Sequence, residues 1–380
     1  MNLRVGIIGV SQTKYETNKS YQAITDTVFE VVQEAMADAG VSREDVDSIV
    51  TSSVDLWDGR TASNQMLTDV VGAIMKSESR VAGDGLGATF QGMLTILCGA
   101  SDLTLVVSQC RGSMGDPYGI SNWVFDPIFQ QPLGLDYLSA AALQANHYMK
   151  RFGITQEDCA RVVVKNLNDA QNNPQAQVAK ETTTDDVMHS PMWAYPIKEM
   201  DAAPVSDGAC AIVLASQKKA KALSKNPVWI LGAGCCVEAH YLGDRDLTEG
   251  EALAKASKKA YEMAGIHDPV KELDLAEVSA EFSYQELLWT ELMGFCGRGN
   301  GIKFLEQGMT SAGGALPVNP SGGMIAGNPV TVAGLTRLVE AVLQVRGKAE
   351  ARQVQNAKMA LAHGTTGCCG QGQYVMIVGN

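Results

Sequence analysis

The chain carries one secondary-structure pattern twice, and that repetition limits its fold more than any other feature. An apolar run, LRVGIIGVSQT (residues 3–13), precedes a stretch from Tyr21 to Ala39 with apolar residues at helical spacing (Ile24, Val28, Val31, Val32, Ala35, Met36). Gly40 supplies a stop, and SREDVD leads into the apolar run SIVTSSV. VWILGAGCC (228–236), the amphipathic stretch Gly250–Ala264 with Gly265 behind it, and LDLAEVSAEF repeat that order. AMADAGVSREDVDSIV and AYEMAGIHDPVKELDLAEV match in sequence of features: helix end, Ala-Gly, acidic turn, strand. The correspondence continues, because Gly85–Cys98 followed by LTLVVSQ has a counterpart in Gly334–Val345 followed by KMALAHG. The pattern predicts a duplicated α/β domain, with residues 1–225 as one half and 226–380 as the other. Between Arg111 and Ser190 the periodicity is broken by aromatic and amide residues (Tyr118, Trp123, Phe129, Gln130, Gln131), which predicts a loop-rich insertion over the active-site face.

Composition excludes several function classes. A hydrophobic fraction of 46% with 19% charged residues suits a well-buried globular protein, and no apolar stretch reaches the roughly 18 residues that a membrane helix needs. Met1–Ile8 lacks the basic, apolar and small-residue segments of a secretory signal, so a cytoplasmic location is expected. The nine cysteines are odd in number and irregularly spaced, as reduced thiols are; Cys235-Cys236 and Cys368-Cys369 form no zinc motif. The five histidines (147, 189, 240, 267, 363) show no metal-ligand spacing, so no metal site is expected. A formal net charge of −12 gives no electrostatic reason to approach nucleic acid.

Five segments in order resemble the thiolases, most closely the sterol carrier and lipid-transfer branch: Gly83–Asp102, Ser206–Ala209 before AIVLAS, Glu277–Phe282, Asn319–Gly334 and Gly367–Gly372. LPVNPSGG (316–323) followed by Gly327-x-Pro329 is the most specific of them. The resemblance implies a five-layer αβαβα fold with two similar halves. It also assigns roles to single positions. In the family a cysteine at a helix N-terminus attacks the acyl carbonyl, helped by the helix dipole and an imidazole. The aligned run here is Ala82-Gly83-Asp84-Gly85, and the register, held by Gly85, Ala88 and Gly99–Asp102, puts Ala82 at the nucleophile position. Where the family has His or Asn, an acidic residue and Phe, this chain has Ser279-Ala280-Glu281-Phe282. Ser279 can donate to an oxyanion, and Glu281 is either part of that motif or a solvated turn residue. The Gly-His-Pro imidazole is replaced by Asn328, which donates hydrogen bonds but takes no proton near pH 7.

The family's second cysteine, which exchanges the substrate α-proton, aligns with Cys368 in Cys368-Cys369-Gly370-Gln371-Gly372; the other reading is a buried structural thiol. Contacts to substrate or CoA are expected from Asn319, Ser321, Gly322 and Gly323, from Gly370 and Gly372, and from His363, which is either functional or a packed histidine. Coenzyme A is implied as a cosubstrate, with no permanently bound cofactor. Three activities fit these parts. One is carbon–carbon cleavage or formation on an acyl-CoA without an acyl-enzyme, by thiolysis or by a retro-aldol of the tyrosine-dependent kind, for which Tyr284 is a candidate. The others are a degenerate subunit that binds CoA or acyl-CoA in a hetero-oligomer and a lipid or acyl-CoA carrier. The resemblance also implies a homodimer, through an edge strand near Leu103–Ser108, and a small zinc-ribbon/OB-fold partner protein. The aromatic insertion suggests a bulky or aromatic acyl group.

Overall fold

The computed structural model describes residues 4–380, so Met1–Leu3, part of the segment read for a signal sequence, lie outside the described residues. The strands are β1 (Val5–Gln12), β2 (Ser48–Ser52), β3 (Ser77–Val81), β4 (Leu103–Arg111), β5 (Met192–Ala194), β6 (Ile197–Lys198), β7 (Asp207–Ser216), β8 (Val228–Val237), β9 (Leu275–Glu277), β10 (Met359–Thr366) and β11 (Gly372–Gly379). Apart from the small β5–β6 pair, they form one nine-stranded sheet in the order β3-β2-β4-β7-β1-β8-β11-β10-β9. The duplication is visible in that order. Outward from the centre, β1, β7, β4 and β2 mirror β8, β11, β10 and β9, with the same alternation of antiparallel and parallel pairing on each side. The halves join where β1 pairs with β8, at Gly6–Trp229 and Ile7–Val228.

Five layers follow from where the apolar faces go. The helix Ile24–Ala39 packs Val28, Val31, Val32 and Ala35 against the outer face of the first half, and Gly40 stops it in the left-handed conformation. The helix Glu251–Ala264, stopped by Gly265, does the same for the second half. Between the half-sheets lie the helices Gly85–Leu97 and Ala333–Val345, whose Leu86, Leu335, Leu338 and Val342 share one core with both halves. Strands covered on both faces need no polar alternation, which is why β1 and β4 are buried at every position.

Three expectations are corrected. The Arg111–Ser190 segment is largely helical: Tyr137–Phe152 and Gln156–Ala170 are full helices, started by capping boxes at Asp136 and Thr155. Buried alanines, Gln144 and Asn166 on their inner faces weaken the helical period, and the irregular parts shrink to about residues 112–136 and 171–183. LDLAEVSAEF is a strand only over β9, after which the chain turns out of the sheet toward the cavity described below. Leu103–Ser108 is no edge; β4 lies between β2 and β7, and the exposed rim of this half is β3.

Candidate active site

A cavity of about 390 Å³ opens where the N-termini of the two central helices meet the loops that follow β9 and β10. Its wall is mostly apolar, with Val54, Trp57, Ile120 and Met324 around a few polar groups: Asp84, Tyr137, Glu281, Asn328, Thr366 and Cys368. Among the described residues, no Lys, Arg or His lines it.

Asp84 caps the helix Gly85–Leu97, accepting from the Leu86 N–H at 2.8 Å with one oxygen and from the Gly334 N–H at 2.8 Å with the other. It thereby ties the starts of both central helices together. A Cβ at residue 334 would run into this carboxyl, so the approach requires glycine there. Burial raises the Asp84 pKa to about 7 against those two hydrogen bonds and the nearby Arg337. Gly83 and Asp84 line the cavity, whereas Ala82 is exposed and does not.

Asn328 enters on the loop before the second central helix. Its N–H donates to Ser206 Oγ at 2.9 Å, and its Oδ1 accepts from the Val330 N–H at 3.0 Å. That bond holds Val330 at φ 44°, a strained value for a β-branched residue. With Oδ1 occupied, the Nδ2 donors are left to face Glu281, a neighbour that lowers the Glu281 pKa. Glu281 is half-buried in the wall with its backbone fixed on both sides: its carbonyl accepts from the Ala203 N–H at 2.8 Å and its N–H donates to Gln285 Oε1 at 2.9 Å. Desolvation outweighs Asn328 and raises its pKa to about 7. Tyr137 and Cys368 both feel the Glu281 charge, and burial is the first cause pushing each of them up. The Cys368 loop is clamped by Arg245, which donates to the carbonyls of Cys368 at 3.1 Å and Cys369 at 2.7 Å and pairs with Glu238 at 2.9 Å. Cys369 adopts φ 55° and is buried in a small apolar cluster with Phe125 and Leu242, against which Cys368 also packs from the cavity wall.

The remaining positions singled out by sequence fall behind the wall. Ser279 and His363 are fully buried and bonded to each other, and neither lines the cavity. Asn319 accepts from the Val278 N–H at 2.6 Å and donates to Glu286 at 2.7 Å. Ser321 sits in a buried ion-pair network, donating to Glu277 at 2.7 Å and accepting from Arg337 at 2.8 Å. Gly322 packs against Ala170, Gly323 against Asn319, and Gly370 against Trp289 and Gln373. Gly372 alone of that set reaches the cavity wall, beside Thr366. Tyr284 donates to Gln144 at 2.8 Å in the core; the tyrosine of the cavity is Tyr137. Sequence reasoning missed Tyr137, the first residue of the helix that Asp136 caps; the Asp-Tyr-Leu-Ser run is the signal that marks this helix start.

A family described as thiolase C-terminal domain-like matches residues 234–380. Acetyl-CoA acetyltransferase of Methanothermobacter thermautotrophicus is 32% identical over 96% of this chain and 97% of its own length. The 17-hydroxy-3-oxo-4-pregnene-20-carboxyl-CoA lyase of Mycobacterium tuberculosis is 27% identical, covering 90% of this chain and 92% of the lyase. Among solved structures, the Ltp2-ChsH2(DUF35) aldolase superposes with a TM-score of 0.86 at 25% identity, over 99% of this chain and 97% of that one. With agreement running along nearly its whole length, the chain belongs to the thiolase superfamily, in the branch of sterol carrier protein 2 and Ltp2.

Proposed function

We propose that this protein breaks or forms a carbon–carbon bond in an acyl-CoA without passing through an acyl-enzyme. The observation that carries the reading is the set of polar groups in the cavity: the carboxyls of Asp84 and Glu281, the carboxamides of Asn328 and Gln371, the Tyr137 phenol, the Cys368 thiol and a few hydroxyls, with no imidazole to activate a nucleophile. A carboxamide donor facing the cavity suits stabilisation of a thioester enolate, and a carboxyl near neutrality suits proton transfer. In this reading Cys368 or Glu281 handles the proton, and CoA is the cosubstrate or the carrier of the acyl group; Ala82, expected at the nucleophile position, lies outside the cavity and takes no part. The mainly apolar wall, with Trp57 and Tyr137, favours a bulky uncharged acyl group. The phosphates of CoA would then be held outside the cavity, since no cation lines it.

Similarity to a lyase and to an aldolase favours the retro-aldol form over thiolysis, and the second protein in the name of that aldolase favours a small partner subunit. A homodimer belongs to the same proposal. One further observation supports a subunit role: Trp123, Ile128, Phe129 and Leu133 stand 66–82% exposed on the insertion beside the cavity mouth. The test is turnover of 3-oxoacyl-CoA and 3-hydroxyacyl-CoA panels, with and without a small candidate partner protein, combined with acid-quench trapping. Cleavage with no trapped acyl-enzyme supports the proposal; an acyl group covalently trapped on the protein refutes it. Acyl-CoA binding without turnover under any condition supports the degenerate subunit instead.

A further inference from the structure

The cavity holds one carboxyl that is free of any structural duty. Asp84 is consumed by two helix N–H groups, whereas the Glu281 side chain meets neither a cation nor a main-chain donor, only the Asn328 carboxamide. Its backbone is held at both its N–H and its carbonyl, so the side chain projects from a rigid point. The titratable groups that face it are Tyr137, Tyr284, Cys368 and Cys369, and burial holds the protons on all four. Arg245, the cation near the two thiols, is occupied by Glu238 and by two loop carbonyls.

Resting on the carbon–carbon lyase reading above, we propose that Glu281 is the catalytic base of a retro-aldol cleavage whose substrate is a 3-hydroxyacyl thioester. The Glu281 carboxylate takes the proton of the 3-hydroxyl. The C3–O bond becomes a carbonyl as the C2–C3 pair moves onto C2, forming a thioester enolate beside the Asn328 Nδ2 donors. The carbonyl product leaves, and the proton on Glu281 returns to C2, directly or through the Cys368 thiol, giving the shortened acyl-CoA. Atoms and charge balance without an oxidant, a metal or free CoA. A carboxylate whose conjugate acid has a pKa near 7 serves both steps, being base enough to accept the proton and acid enough to return it.

The experiment compares the wild-type protein with Glu281→Gln and Glu281→Asp, together with any partner the wild type requires. Two readouts are used: cleavage of 3-hydroxyacyl-CoAs with uncharged chains, and deuterium uptake from D₂O at C2 of the product acyl-CoA. Glu281→Gln keeps the shape and the Asn328 contact, so affinity for the acyl-CoA product should stay within about twofold. Its kcat should fall by roughly 10²–10⁴-fold, and deuterium uptake should fall with it. Glu281→Asp should recover part of the rate with a displaced pH profile. The inference alone is overturned if Glu281→Gln cleaves or exchanges at the wild-type rate, or if the wild type cleaves only 3-oxoacyl-CoAs with free CoA. A wild-type protein that neither cleaves nor exchanges overturns the lyase reading and this inference with it.

Discussion

Ser279 and His363 are bonded to each other twice: the Ser279 N–H donates to His363 Nδ1 at 3.2 Å, and Ser279 Oγ donates to the His363 carbonyl at 2.7 Å. With Nδ1 accepting, the ring carries its proton on Nε2, which donates to Gln373 Oε1 at 2.6 Å; Gln373 in turn donates to the Gly370 carbonyl at 2.8 Å. This chain of bonds ties the segment that bears Glu281 to the loop that bears Cys368. These bonds keep both side chains out of the cavity.

Burial pushes the His363 pKa down to about 4, below the usual 6.5, so the folded protein holds the ring neutral while the unfolded chain protonates it. The stability this group contributes is complete above about pH 6.5 and is lost as pH falls toward 4, at about 1.4 kcal/mol per pH unit. His363→Gln should remove that portion of the acid sensitivity in urea titrations between pH 4 and 7, and Ser279→Ala should cost about 1 kcal/mol with kcat changed little. Loss of turnover in Ser279→Ala with stability intact would return Ser279 to the catalytic set.

Glu281 has the opposite sign. Its folded pKa, raised from 4.5 to about 7, means that the native state holds a proton the unfolded chain has released. Its stabilising effect is present below about pH 4.5 and is lost as pH rises through 7. Glu281→Gln should therefore gain stability relative to wild type as pH rises from 5 to 8, on the order of 1–3 kcal/mol. Parallel curves across that range would place the Glu281 carboxyl in water.

Asn328→Ala removes the amide that faces the cavity and also the acceptor for the Val330 N–H. Turnover should drop by roughly 10²–10³-fold, with CoA-thioester affinity much less affected. Equal losses in kcat and in affinity would assign Asn328 to binding. Asn328→Asp, which keeps the Val330 bond and loses the donors, separates the two roles.

Cys368→Ala tests the thiol. If Cys368 carries the proton to C2, deuterium exchange at the substrate α-carbon disappears while binding persists; unchanged exchange removes it from the mechanism. Its raised pKa also predicts slow alkylation by iodoacetamide at pH 7, faster as pH rises, which peptide mass spectrometry would follow.

Ala82→Cys should not create a working thiolase. Residue 82 is exposed and lies outside the cavity wall, and Asn328 cannot accept the thiol proton. Intact-protein mass spectrometry after incubation with an acyl-CoA should find no acyl adduct, and a stable adduct with turnover would contradict the reading of that position.

Much of the fold was legible because the information is local. Helical spacing from Ile24 to Met36, stops at Gly40 and Gly265, and apolar runs at Val5 and Val228 each encode an element within about 15 residues. The insertion was misread for the complementary reason: the helices Tyr137–Phe152 and Gln156–Ala170 bury alanines, Gln144 and Asn166 along with larger apolar residues, which weakens the period that sequence reading relies on. The candidate site was legible in part. Asn328 and Cys368, singled out by resemblance, line the cavity, whereas Asn319 and Ser321 of the most specific motif, LPVNPSGG, lie behind its wall. Asn319 and Ser321 are held by buried Glu286, Glu277 and Arg337, so the motif's residue choices answer to internal ion pairs and hydrogen bonds that no local pattern reveals.

By itself the sequence determined that two similar α/β halves would form, each marked by the same order of apolar runs, amphipathic stretch and glycine stop. Only the tertiary structure decided that Glu281 and Tyr137 would face Cys368 across one cavity while Ser279 and His363 turned toward each other. The reason is physical: whether a carboxyl is solvated or desolvated depends on what packs around it. The groups around Glu281 come from residues 137, 328 and 368, brought together only when the two half-sheets close on their shared helices.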